Sequence, residues 1–158
     1  MALMRLELDP PHGVDLLRLD MTADEARAAL GQLGDLDPNR QGELYAQRAG
    51  GLGLTAHLGA DGRVNAIEVW RPQQDDSVHY RDVDVFALPA LEVVTALRRH
   101  ATVLPDEDDD ASYVAADLLL SLWRPFPGDD DPDDPQGYYF NSVLVARPGY
   151  YDRPDDGG

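Results

Sequence analysis

The 158-residue chain has no cysteine, no lysine and a single isoleucine, Ile67. Without cysteine there are no disulfides, no thiolate catalysis, no Cys-based zinc sites and no lipidated N-terminal cysteine. Without lysine, all 13 basic residues are arginine, and Ala, Gly, Pro and Asp abound beside them. That usage points to a high-GC genome, expected to be actinobacterial. No window approaches the 18 or so apolar residues of a membrane span. Met1–Asp9 holds no apolar stretch of signal-peptide length, so a cytoplasmic location and no membrane partner are expected.

Charge of one sign is also scarce. Thirty acids against 13 arginines leave a net charge of −17 and a pI near 4.3. Such a field repels phosphate and argues against nucleic acid or anionic lipid as a ligand. The excess is local. Asp106 to Asp110, Asp129 to Asp134 and the tail Asp152 to Asp156 carry −12 of it, leaving −5 for the rest.

A chain of this length buries roughly 68–70% of its unfolded surface and needs no staples. Thr22-Ala-Asp-Glu25 is a capping box, and Ala26, Ala29, Leu30 and Leu33 follow on one helical face, which predicts a helix over 23–33 ended by Gly34. Pro89 opens a second helix over 89–101, with Ala90, Val93, Val94, Leu97 and Ala101 as its stripe. Alternation predicts a strand from Leu52 to Leu58, a turn at Gly59-Ala-Asp-Gly62 and a return from Arg63 to Trp70. A second hairpin is expected from Ala116 to Trp123 and from Tyr139 to Ala146, and shorter strands at 3–8, 14–19 and 78–87.

These pieces repeat. Val14 to Leu19 matches Val83 to Leu88, Thr22 to Leu30 matches Pro89 to Leu97, and Val64 to Val69 matches Phe140 to Val145. The expectation is one α+β domain over 1–158. Its duplicated strand–helix–β-hairpin unit spans about 3–72 and 78–147, ahead of an acidic tail at 152–158. The hairpins would join one antiparallel sheet with two helices packed on one face.

Leu19-Asp-Met-Thr-Ala-Asp-Glu-Ala-Arg-Ala-Ala-Leu-Gly31 resembles the opening of small bacterial α/β repeats. These include the SmpA/OmlA outer-membrane lipoproteins and the β-lactamase-inhibitor-protein fold. The resemblance covers 13 residues and implies a helix preceding antiparallel strands, with a sheet face that binds another protein. Asp20 stands where those proteins usually have glycine. The lipoprotein cysteine and the inhibitor's disulfides are missing, so membrane attachment and β-lactamase binding do not carry over. The whole chain also resembles cytosolic proteins common in actinomycetes, some of which sit beside toxin genes.

The catalytic inventory is poor. No serine lies in a nucleophile elbow, and the sequence has no H-E-x-x-H or Walker A pattern. Gly50-Gly-Leu-Gly53 leads into a strand, where a phosphate would find no helix N-terminus. His12, His57, His79 and His100 show no metal spacing, and neither acidic run has the alternating ligands of a calcium loop. No metal and no cofactor are expected.

The aromatics stand out. Trp70-Arg71-Pro72 and Trp123-Arg124-Pro125 end two strands, and Tyr138 and Tyr139 open the last one. Beside the acids Asp129, Asp130 and Asp131 they have the residue bias of protein-binding hot spots. The expected function is therefore a non-enzymatic module, immunity- or antitoxin-like, presenting an acidic, aromatic surface to a basic protein. The alternatives are a small-molecule- or metal-binding enzyme using His79, Asp82 and Asp84, and a subunit that forms homo-oligomers through an exposed strand.

Overall fold

In the stretch Arg5–Asp9, Leu6 and Leu8 are buried while Arg5, Glu7 and Asp9 face water, the alternation of a half-buried strand, β1. The computed structural model describes residues 5–10, 12–37, 43–48, 51–72, 76–105, 112–115, 118–124 and 139–147. After β1 come two short strands, β2 (Gly13–Val14) and β3 (Leu17–Arg18), folded on a turn in which Asp15 takes φ +51°. The segment expected as one strand over 14–19 is thus a tight pair. Helix α1 (Ala23–Leu33) begins at the capping box: Thr22 Oγ1 accepts from the Glu25 backbone N–H at 3.2 Å, and Glu25 Oε1 accepts from the Thr22 N–H at 3.1 Å. Asp20 takes φ +70°, a left-handed conformation that glycine adopts most readily.

Four strands follow, β4 (Asp35–Asp37), β5 (Glu43–Gln47), β6 (Gly53–Leu58) and β7 (Val64–Trp70). The last two are the expected hairpin, closed where the Gly62 N–H donates to the Gly59 carbonyl. The order then recurs without a counterpart of β3. Strands β8 (Ser77–Tyr80) and β9 (Val83–Asp84) turn at Arg81, φ +55°, so 78–87 is also a pair rather than one strand. Helix α2 (Ala90–Leu97) is shorter than expected: past Leu97 the chain goes into turns, and Arg98 Nε donates to the Val103 carbonyl. Strands β10 (Leu104–Pro105), β11 (Ser112–Ala115), β12 (Leu120–Trp123) and β13 (Ser142–Ala146) complete the second unit. The strand expected from Ala116 begins only at Leu120, because the chain turns at Leu119, φ +54°, to pair β12 with β11.

The two units meet twice. In an eight-stranded sheet ordered β10-β11-β12-β13-β7-β6-β5-β4, every neighbouring pair is antiparallel and the halves join at β13–β7. The five joining pairs run from Trp70↔Ser142 to Ala66↔Ala146 and centre on Glu68↔Leu144. These two residues are superposed by the sequence match of 64–69 on 140–145, so a local two-fold runs through that pair. In the second sheet, β3-β2-β1-β8-β9, the halves join by the parallel pairing of β1 with β8. Leu8↔Val14 in the first unit corresponds to Tyr80↔Val83 in the second. The fold is α+β, a duplicated strand–helix–hairpin arrangement.

One apolar cluster holds it together. It takes Leu6, Leu8 and Val78 from the smaller sheet, Leu30 and Leu33 from α1, and Val93 and Leu97 from α2. From the large sheet it takes Leu44, Ala46, Leu54, Ala56, Ile67, Val69, Leu120, Leu122, Val143 and Val145. By register those positions all lie on one face, so both helices pack on that face. A bulge between His57 and Leu58 rotates Val64 into the same core. Among the described residues, no helix is long and apolar enough to cross a membrane.

Candidate protein-binding face

Because strand side chains alternate, the residues interleaved with the core positions occupy the other face of the large sheet. One row across it reads Gln47, Gly53, Trp70, Ser142, Trp123, Ser112; the next reads Tyr45, Thr55, Glu68, Leu144, Ser121, Val114, Leu104. A third places Glu43, His57, Ala66 and Ala146 side by side. None of these side chains belongs to the core cluster. The face is segregated: Leu104, Val114, Trp123 and Leu144 sit on the β10–β13 side, and Asp35, Glu43, His57 and Glu68 on the β4–β7 side. Among the described residues, no arginine occupies a strand position of this face.

Glycine and small residues set the aromatics in place. A Cβ on Gly53 would lie 2.8 Å from the Tyr45 hydroxyl and 3.3 Å from Trp70 Cδ1, so the two rings close over the glycine. Trp70 Nε1 donates to Thr55 Oγ1 at 3.2 Å, and Thr55 beneath is 3% exposed. Buried indoles need such a partner, and here it fixes the ring plane. Trp123 lies across Ser142 from Trp70, two strand spacings or roughly 9.5 Å away. His57 stands between two carboxylates, with Nδ1 3.3 Å from Glu43 Oε2 and Nε2 3.7 Å from Glu68 Oε1.

The structure divides the partner-binding residues expected from sequence. Trp70 and Trp123 share the face opposite the core. Arg71 does not: its Nε donates to the Phe86 carbonyl at 3.3 Å on the helix side, and its guanidinium lies 4.5 Å over the Tyr139 ring. Burial pulls the Arg71 guanidinium below the ordinary arginine value, against the opposing pull of Tyr139 and Asp84. Arg124 is buried, at 5% exposure. Tyr138, Asp129, Asp130 and Asp131, like the two acidic runs and the tail, lie outside the described residues.

The alternative trio does not converge either. His79 pairs across strands with Asp84, Nε2 to Oδ2 3.8 Å, and lies 3.0 Å from Ser77 Oγ. The other Asp84 oxygen accepts from the Phe86 and Ala87 N–H groups, a turn-closing role. Asp82 is 3.5 Å from His100 instead. Among the described residues, no three His, Asp or Glu side chains form a metal-ligand group. A shallow groove of about 370 Å³ beside Asp82 is lined by Val83, Leu88, Glu92, Thr95, Ala96 and Arg99.

Sequence reading missed Glu43, Tyr45, His57 and Glu68 as parts of one surface. The alternation of Glu43-Leu-Tyr-Ala-Gln47 was the available signal for β5, but nothing local says which strand it pairs with. No family model, curated protein or solved structure matches the chain.

Proposed function

We propose that the chain is a non-enzymatic protein-binding module, immunity- or antitoxin-like, whose sheet face opposite the core docks a basic protein. The observation that carries this is the segregated face itself: aromatic and aliphatic side chains adjoin carboxylates, with no arginine among the described positions. Aromatic anchors supply contact area at low entropic cost, and a single-sign acidic field favours capture of a basic partner. The resemblance of the first unit to repeats that bind proteins through a sheet face points the same way. Strand addition has less support, because among the described residues one edge strand bears Asp35 and the other Pro105, and an edge charge and an edge proline both discourage it. The enzyme reading has less support because His79, Asp82 and Asp84 form separate pairs.

Affinity capture at low salt tests the reading, comparing the native chain with a Leu104→Arg/Leu144→Arg double variant. Basic proteins held by the native chain should be released by salt and lost from the variant. Equal retention by both, or no basic protein retained by either, would overturn it.

A further inference from the structure

Glu68 lies at the centre of the sheet face opposite the core, on the strand that joins the two half-sheets, with its side chain 23% exposed. Its cross-strand neighbours are Thr55 and Leu144, neither of which is charged. His57 Nε2 approaches Oε1 at 3.7 Å, and among the described residues no cation meets Oε2. Two residues along the same strand and on the same face stands Trp70, roughly 6.8 Å away by strand rise. Its ring is held by the bond to Thr55 and by contact over Gly53. A carboxylate and a fixed indole two residues apart on one face offer the two ways a guanidinium binds: in-plane donation to oxygen and stacking on an aromatic face.

We propose that Glu68 and Trp70 form the anchor subsite of the face, seating one arginine side chain of the partner protein. The inference rests on the docking face argued above and specifies what that face recognises. The guanidinium pairs with Glu68 while its plane lies against the Trp70 indole. Arginine suits the site better than lysine because its planar fork both stacks and donates in parallel, whereas an ammonium is a compact, strongly hydrated point charge. Glu43 is less suited, because its register neighbour is His57 rather than an aromatic ring.

The test is titration of the full chain with acetyl-Gly-Arg-Gly-amide, followed by the Trp70 indole N–H resonance. The lysine and citrulline peptides serve as comparisons, citrulline keeping the shape of arginine without its charge. Binding should shift the Trp70 resonance, weaken about tenfold in Glu68→Gln and be unchanged in Glu92→Gln, which alters a carboxylate away from the face. The citrulline peptide should fail on the native chain, a comparison that depends on no variant folding. Equal binding of arginine and citrulline peptides, equal binding by Glu68→Gln, or tighter binding of lysine would overturn the subsite. If Glu68→Gln binds normally while the double variant still loses captured proteins, the arginine anchor falls and the docking face stands.

Discussion

Glu68 faces Leu144 across the seam between the half-sheets, and the same two residues are equivalent under the internal repeat. The local two-fold therefore passes through a pair whose members have diverged in kind, one charged and one aliphatic. The seam makes the sheet continuous, and the divergence contributes to an acidic side and an apolar side on the face opposite the core.

Replacing Leu144 by arginine alone should place a cation directly opposite Glu68. A cross-strand ion pair contributes about 0.2–1 kcal/mol, offsetting part of the lost aliphatic contact, so the melting temperature should change little. Capture of basic proteins should nevertheless fall, because the new guanidinium competes for Glu68. Calorimetry and the capture assay together check this; a large loss of stability would mean that Leu144 is a packing residue.

Gly13 marks where the smaller sheet cannot accept a side chain. A Cβ there would lie 2.5 Å from the Leu17 carbonyl oxygen and 2.9 Å from Arg18 Cα, both backbone atoms, and its φ is +159°. Gly13→Ala should cost about 3 kcal/mol in urea unfolding, since neither neighbour can rotate away. A cost below half of that would show that the β2–β3 turn shifts as a unit.

Arg48 joins α1 to the segment between the units. Its Nη1 donates to the Leu33 carbonyl near the helix end at 2.9 Å, and its Nε lies 2.8 Å from Asp76 Oδ2, on a side chain only 4% exposed. Arg48→Met keeps most of the packing and removes both hydrogen bonds, for an expected loss of about 2–3 kcal/mol. Asp76→Asn in the same background should recover part of it, as a double-mutant cycle would read.

The α1 cap makes stability depend on acid. Glu25 titrates below its ordinary 4.5 because it accepts the Thr22 backbone and side-chain hydrogen bonds. A carboxyl with a lowered folded-state pKa stabilises the fold above its unfolded value, and that contribution is lost as pH falls through the folded value. The stability gap between the native chain and Glu25→Gln should thus be full at neutral pH and close below pH 4.5. A gap that stays constant into acid would remove the hydrogen bond as its cause.

Where structure depends on neighbours in sequence, it was legible. The capping box at Thr22 and Glu25 set the start of α1, and Gly59 to Gly62 marked the turn between β6 and β7, because both are built from groups within four residues. The internal repeat was legible too, since equivalent positions face equivalent environments. The turns at Asp15, Arg81 and Leu119 were not, because tertiary pairing holds non-glycine residues at positive φ there with no local mark.

The site divides along the same line. Sequence by itself determined the acidic balance, the absence of cysteine chemistry, two amphipathic helices and the conspicuous Trp-Arg-Pro endings of two strands. Only the tertiary structure decided that Trp70 and Arg71 part to opposite sides of the sheet, that Tyr45 and Glu68 gather beside Trp70, and that His57 stands between Glu43 and Glu68. The physical reason is that side-chain direction in a strand alternates with each residue, while pairing is fixed by burial of the common core. Neighbours in the chain are thereby separated, and residues far apart in it are brought onto one face.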